Sequence, residues 1–221
     1  GPDARHIEIV TTVHNPNSYQ ITALLGQFLQ LGKRLVHFHD GCGLDIDCLS
    51  GKTDTQWLAG AGEGISYAYA VPAGDDLSLL LAYDALLLLE AGTFDIDPDQ
   101  TVSVRSFLVI GDGTIEDVVQ QIKVLREEPA GTAVPLKVSL SDDHSAMKDA
   151  YVQVRRTGES AKNRWATSVV PDEAGDAVVH LPAGTYDFVL RLPGAADVVV
   201  ESVTIGSEPP AEPTALTANP A

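Results

Sequence analysis

Between Val169 and Ile205 the chain reads VVPDEAGDAVVHLPAGTYDFVLRLPGAADVVVESVTI, and no other stretch restricts its fold as tightly. Short runs rich in Val, Tyr and Phe are cut by an acidic-Gly turn, by Leu181-Pro182-Ala183-Gly184 and by Pro193-Gly194. β-Branched and aromatic runs of this length, punctuated so closely, predict the strands of a small sandwich. Gly175 suits the first turn because a residue without Cβ takes backbone conformations that others resist. Pro182 ends one strand, and Tyr186 and Phe188 re-enter at alternate positions, on one face of the next.

The preceding half follows similar rules. Residues 7–14 (IEIVTTVH) read as a strand, then Asn15-Pro16-Asn17-Ser18 as a turn. Tyr19 to Leu31 fits a helix or a strand by composition, and the turn before it favours a strand. Arg34 to Phe38 reads as a short strand, and 40–64 as an irregular, glycine-rich excursion. Ile65 to Val71 alternates and stops at Pro72. Leu77 to Glu90 is long enough for a helix, while its flanking turns favour one long buried strand or two. Around the turn Asp97-Pro98-Asp99, Phe94 and Ile96 precede Val102, Val104, Ser106 and Leu108, spaced by two. Residues 114–127 are then a helix. Ile115, Val118, Val119, Ile122 and Leu125 share one face, Thr114 is the N-cap, and acids precede bases along the axis.

These readings predict a mainly β protein of two tandem β-sandwich domains, with one helix closing the first. The expected domains are 3–128 and 132–206, separated at Glu128-Pro129-Ala130-Gly131. Residues 207–221, rich in Pro, Ala, Thr and Glu, are expected to be a disordered linker toward a further domain. Gly1-Pro2 has the form of a protease-cleavage remnant, so the lack of a signal peptide carries no weight.

Thirty-one acids oppose 14 bases, a net charge of −17. Phosphates would be repelled, which excludes nucleic acid as a partner. No apolar run approaches the roughly 20 residues of a membrane span. Cys42 and Cys48, in GCGLDIDC, can close a small loop as a disulfide, which would place the protein in an extracellular or periplasmic setting. Their spacing is not that of a usual zinc site.

Three segments carry a family resemblance: Ala150-Tyr151-Val152-Gln153-Val154, Pro171 to Ala177, and Leu181 to Tyr186. With them, residues 132–206 resemble the carboxypeptidase regulatory-like domain, a transthyretin-like β-sandwich. That resemblance implies a non-catalytic module. Gly92 to Pro98, Val102 to Gly113 and the helix resemble the end of the supersandwich-like accessory region of large secreted bacterial metallohydrolases. This second resemblance spans 7–128 and implies a neighbouring metallohydrolase domain.

Against these stand candidate sites. His37 and His39 are two apart on a strand, so both imidazoles face one way and, with Asp40, Asp45 and Asp47 near, offer ligands to zinc. Asp45-Ile46-Asp47 and Asp95-Ile96-Asp97-Pro98-Asp99 offer oxygen ligands to calcium but lack the EF-hand pattern. Gly111-Asp112-Gly113 lacks the lysine of a phosphate loop and reads as a strand-to-helix turn. Trp57, Tyr67, Tyr69 and Trp165 are candidates for stacking on a glycan. The expectation is a non-catalytic accessory pair of a larger exported protein that positions a neighbouring domain and needs no cofactor. A carbohydrate- or cell-surface-binding module is the alternative, and a metal-dependent hydrolase fragment using His37 and His39 the third.

Overall fold

The computed structural model describes residues 5–30, 36–39, 53–62, 64–83, 86–140, 150–158, 165–192 and 196–218. The chain forms two compact units, the first ending at Gly113 and the second running from Thr114.

The first unit contains β1 (His6–His14), β2 (Ile21–Gln30), β3 (Val36–His39), β4 (Thr53–Thr55), β5 (Trp57–Gly62), β6 (Ile65–Ala70), β7 (Leu77–Tyr83), β8 (Leu86–Ile96) and β9 (Thr101–Gly111). They form two antiparallel sheets, ordered β1-β9-β6-β5-β3 and β2-β8-β7-β4. The ambiguous stretch Leu77 to Glu90 is thus two strands. Register assigns the faces of the first sheet. Ile9 pairs with Ser106, Tyr69 with Leu108 and Leu58 with Tyr69, so these residues point one way. On that side Leu58, Tyr69, Val71, Leu77 and Leu89 form the core, with Ile9, Leu29, Tyr67 and Ala91 packed on it. The opposite face of β1 and β9 carries Arg105 bonded to Glu8 at 2.7 Å and Thr12 bonded to Ser103 at 2.9 Å.

Asn15, fully buried, ties the two strand connections at one end of this sandwich. Its Nδ2 donates to the carbonyls of Tyr19 and Ile96, both at 2.8 Å, and its Oδ1 accepts from the Asn17 backbone N–H at 3.0 Å. Its own backbone donates to Gln100 O at 2.9 Å and accepts from Asp99 N at 2.8 Å. At Gly26 a Cβ would collide with the backbone carbonyl of Leu89, so only glycine allows β2 this close to β8.

The second unit contains α1 (Ile115–Leu125), β10 (Thr132–Leu140), β11 (Tyr151–Arg156), β12 (Trp165–Val169), β13 (Asp176–Leu181), β14 (Gly184–Arg191), β15 (Val198–Ile205) and β16 (Thr214–Ala218). Its sheets are ordered β13-β10-β16 and β12-β11-β14-β15. Between them lie Val134, Leu136, Val152, Val154, Tyr186 and Phe188, each fully buried or nearly so. The acidic-Gly turn closes as expected: Asp172 Oδ1 accepts from Ala174 N at 2.9 Å and Asp176 N at 2.8 Å, and Gly175 has φ +82°. Gly184 acts differently from the expected turn residue. It lies in β14, where an added Cβ would come within 3.3 Å of the Tyr186 ring. The Tyr186 hydroxyl donates to Pro182 O at 2.9 Å.

Two expectations are corrected. The helix starts at Thr114, whose hydroxyl accepts from Asp117 N, but it does not close the first domain. It packs on β12 and β13, and the unit boundary falls at Gly113 rather than at 128–132. Glu116 in its first turn fixes this, because its carboxylate is bonded to β12 and β13. Residues 207–221 are not wholly a linker either. Thr214–Ala218 pair in parallel with β10, and Leu216 and Ala218 are buried in the core. Two apolar side chains at alternate positions suffice for an edge strand when a sheet offers its free edge.

Candidate functional site

A cleft of about 500 Å³ opens in the first unit, lined by apolar Val71, Ala91 and Phe94 with Asp75, Asp76 and Arg105. Val71 and Pro72, just after β6, make one wall. Asp75 N donates to Pro72 O at 3.1 Å, and Gly74, at φ +88°, turns the chain so that both aspartates are exposed. The other wall is set by a β-bulge. Leu25 pairs with Gly92 and Gly26 with Glu90, so Ala91 is the extra residue of β8. Gly92 takes φ +151°, and the Phe94 ring comes within 3.1 Å of where its Cβ would stand. Arg105 is engaged by Glu8, and Asp76 accepts from Gln56 Nε2 at 3.4 Å. The cleft offers a flat apolar ring beside hydrogen-bond acceptors, a combination that suits a polyol.

The aromatic residues expected on a glycan face are arranged otherwise. Trp57 pairs with Ala70, and its neighbour Leu58 pairs with Tyr69, so Trp57 and Tyr69 point to opposite faces of one sheet. Trp57 is 8% exposed and Tyr69 3%, and Tyr67 packs on the core. Burial raises the Tyr69 phenol above its ordinary range, partly offset by its hydrogen bond with Ser106. Trp165 lies under two guanidinium groups, Arg155 at 5.7 Å and Arg191 at 5.9 Å from its ring centre. His37 and His39 lie on β3, opposite Gly60 and Leu58, and their side chains are outside the described set. Asp40, Cys42, Asp45, Asp47 and Cys48 also lie outside the described residues. Among the described residues, no group of three or more His, Cys, Asp or Glu is placed to hold a metal. Asp95 and Asp97 accept from Thr22 at 2.7 Å and Gln20 at 2.8 Å, which ties the β8–β9 turn to β2. Asp112 is bonded to Arg5 at 2.9 Å, in the strand-to-helix turn as expected.

Two buried carboxylates escaped the sequence reading. Asp187 accepts from Arg155 Nε at 3.1 Å, Thr157 Oγ1 at 2.6 Å and Ser202 N at 3.0 Å. Burial pushes its carboxyl up, but those bonds and the Arg155 charge outweigh this and hold it below the usual range. Glu116 accepts from Thr167 Oγ1 at 2.6 Å through one oxygen. Through the other it accepts from His180 N at 2.8 Å and Gln120 Nε2 at 2.9 Å. Lys123, on the same helix, donates to His180 O at 3.1 Å, and burial lowers its ammonium pKa against the raising charges of Glu116 and Glu128. Nothing in the local sequence marks either carboxylate, since each partner set is assembled from separate strands.

The fold defines an all-β protein of the sandwich type. No family model matches the chain, and no curated protein does. Solved structures that match include the Slr1438 protein of Synechocystis sp. PCC 6803, at 11% identity and TM-score 0.33, covering 49% of this chain and 51% of that one. A polysaccharide lyase matches at 7% identity and TM-score 0.34, covering 91% and 32%. The Bacillus anthracis TIE protein matches at 10% identity and TM-score 0.27, covering 97% and 41%. The chain therefore spans about half or less of each of these proteins. Likeness at these TM-scores is too slight to assign a function, which has to come from the residues of this chain.

Proposed function

We propose that the chain is a non-catalytic accessory pair of a larger exported protein, two rigid sandwiches that hold a neighbouring domain in place. The observation that carries this reading is the use made of buried polar side chains. Asn15, Glu116 and Asp187 are each bonded to two or more separate elements. Groups so engaged stiffen a scaffold. The carboxypeptidase regulatory-like identity of the second unit is supported by the Asp172–Gly175 turn and the Tyr186–Pro182 bond, which sit on the residues that carry that resemblance. A bridge between Cys42 and Cys48 belongs to the same reading, and thiol titration with and without reductant should find both thiols only after reduction. Elemental analysis after loading with zinc or calcium should find no stoichiometric ion; one retained through His37, His39 and Asp40 would favour the hydrolase reading. The test of the main reading is comparison of the parent protein with and without this pair. Removing the pair should lower the stability or surface retention of the parent and leave its chemistry intact. Loss of chemistry, restored by no rigid substitute, would contradict it.

A second reading, glycan binding, is favoured by the cleft. Its acceptors and the Phe94 ring are in one place, unlike Trp57 and Tyr69. On a glycan array, Phe94→Ala should abolish any signal the intact chain gives, and retained binding would place the glycan elsewhere.

A further inference from the structure

We propose that strand β2 of the first unit is a dimerisation edge, pairing antiparallel with β2 of a second copy of this chain. β2 is the last strand of its sheet and among the described residues bonds only to β8. Edge strands in soluble proteins are normally blunted by charge, proline or shortness. β2 has none of these. It is ten residues long, ITALLGQFLQ, with no charge and no proline. The uncharged run extends over residues 15–32, which contain no Asp, Glu, Lys or Arg, in a chain where 20% of residues are charged. Leu24 is 58% exposed and Phe28 67%, so neither is covered within the molecule.

The occupant follows from symmetry and charge. The bulge lies on β8, so β2 itself keeps strict alternation, and Leu24, Gly26 and Phe28 share its outer face. Leu24 and Phe28 stand two positions either side of Gly26. An antiparallel pair with its two-fold axis at Gly26 sets Leu24 against Phe28 of the second copy, and Phe28 against its Leu24. The edge is therefore complementary to itself, as an isologous contact requires. Each copy carries −17 and repels another everywhere that charge is dense, so the uncharged edge is where two copies can approach. Tyr19, exposed in the turn that leads into β2, adds to the same uncharged flank.

Sedimentation of the intact chain under reductant, from about 1 to about 200 µM, reads the proposal at concentrations where a strand-edge contact of modest area assembles. The expected result is a monomer–dimer equilibrium. Salt should tighten it by screening the mutual repulsion. Phe28→Lys and Leu24→Lys should each weaken it at least about tenfold, by setting a lysine ammonium against the apolar Leu24 or Phe28 of the second copy. Val124→Lys, at a site 74% exposed on α1, should leave it unchanged. Far-ultraviolet circular dichroism checks that each variant is folded, and Thr22→Lys, on the same outer face, replaces any that is not. A monomer throughout the range overturns the proposal, as does a dimer that survives folded edge variants or forms only without reductant.

Discussion

Asp187 shows how one residue can organise a sheet without local warning in the sequence. Its carboxylate joins β11 to β14 through Arg155 and reaches Ser202, whose φ of +59° presents its N–H inward. Its folded pKa is depressed, so its stabilisation is complete above the unfolded value, about 3.9, and is lost as pH falls through the folded value. Asp187→Asn should therefore cost about 1–3 kcal/mol at neutral pH, with the deficit shrinking below about pH 4. Chemical denaturation at both pH values checks this. Tyr69 works in the opposite sense. Its phenol is raised, so its contribution is intact below the ordinary value near 10 and is lost as pH climbs through the folded one. Ultraviolet titration should show Tyr69 ionising above the ordinary tyrosine range, and Tyr69→Phe should reduce the absorbance change seen there. Asn15→Ala should cost about 2–3 kcal/mol, since two buried carbonyls lose their donors.

Elements were legible where their patterns are local. The helix cap at Thr114, the Asp97-Pro98-Asp99 turn and the alternation of Tyr186 and Phe188 each declare themselves within a few residues. What escaped depends on distant partners. Thr214–Ala218 has the composition of a linker and becomes a strand only because β10 offers an edge. The helix reads as the end of the first domain because it follows β9 without a gap, whereas Glu116 bonds forward to Thr167 and His180. Chain truncated after Pro213 should lose about 1–3 kcal/mol of stability in the second unit, because Leu216 and Ala218 leave the core and expose Leu136 and Val138. Calorimetry reads that loss, and an unchanged transition would remove β16 from the folded unit. Likewise a fragment beginning at Thr114 should melt above one beginning at Thr132, since only the first keeps α1 on β12 and β13.

For the whole molecule, the two-sandwich plan was readable because turns recur so often, while the placement of the aromatic side chains was not. Trp57 and Tyr69 look adjacent in composition, but strand parity sends them to opposite sides of a sheet and into packing. The cleft that does exist is built by a bulge and a turn, whose effect on Phe94 no periodicity shows. If these two bodies are scaffold rather than catalyst, the purified chain should turn nothing over. Assay against a panel of glycans, esters and phosphoesters, with and without added zinc or calcium, decides the matter. Rates should equal those in buffer and stay unchanged in Asp75→Asn and Asp76→Asn variants. Turnover above buffer that either variant abolishes would contradict the scaffold role and make the cleft an active site.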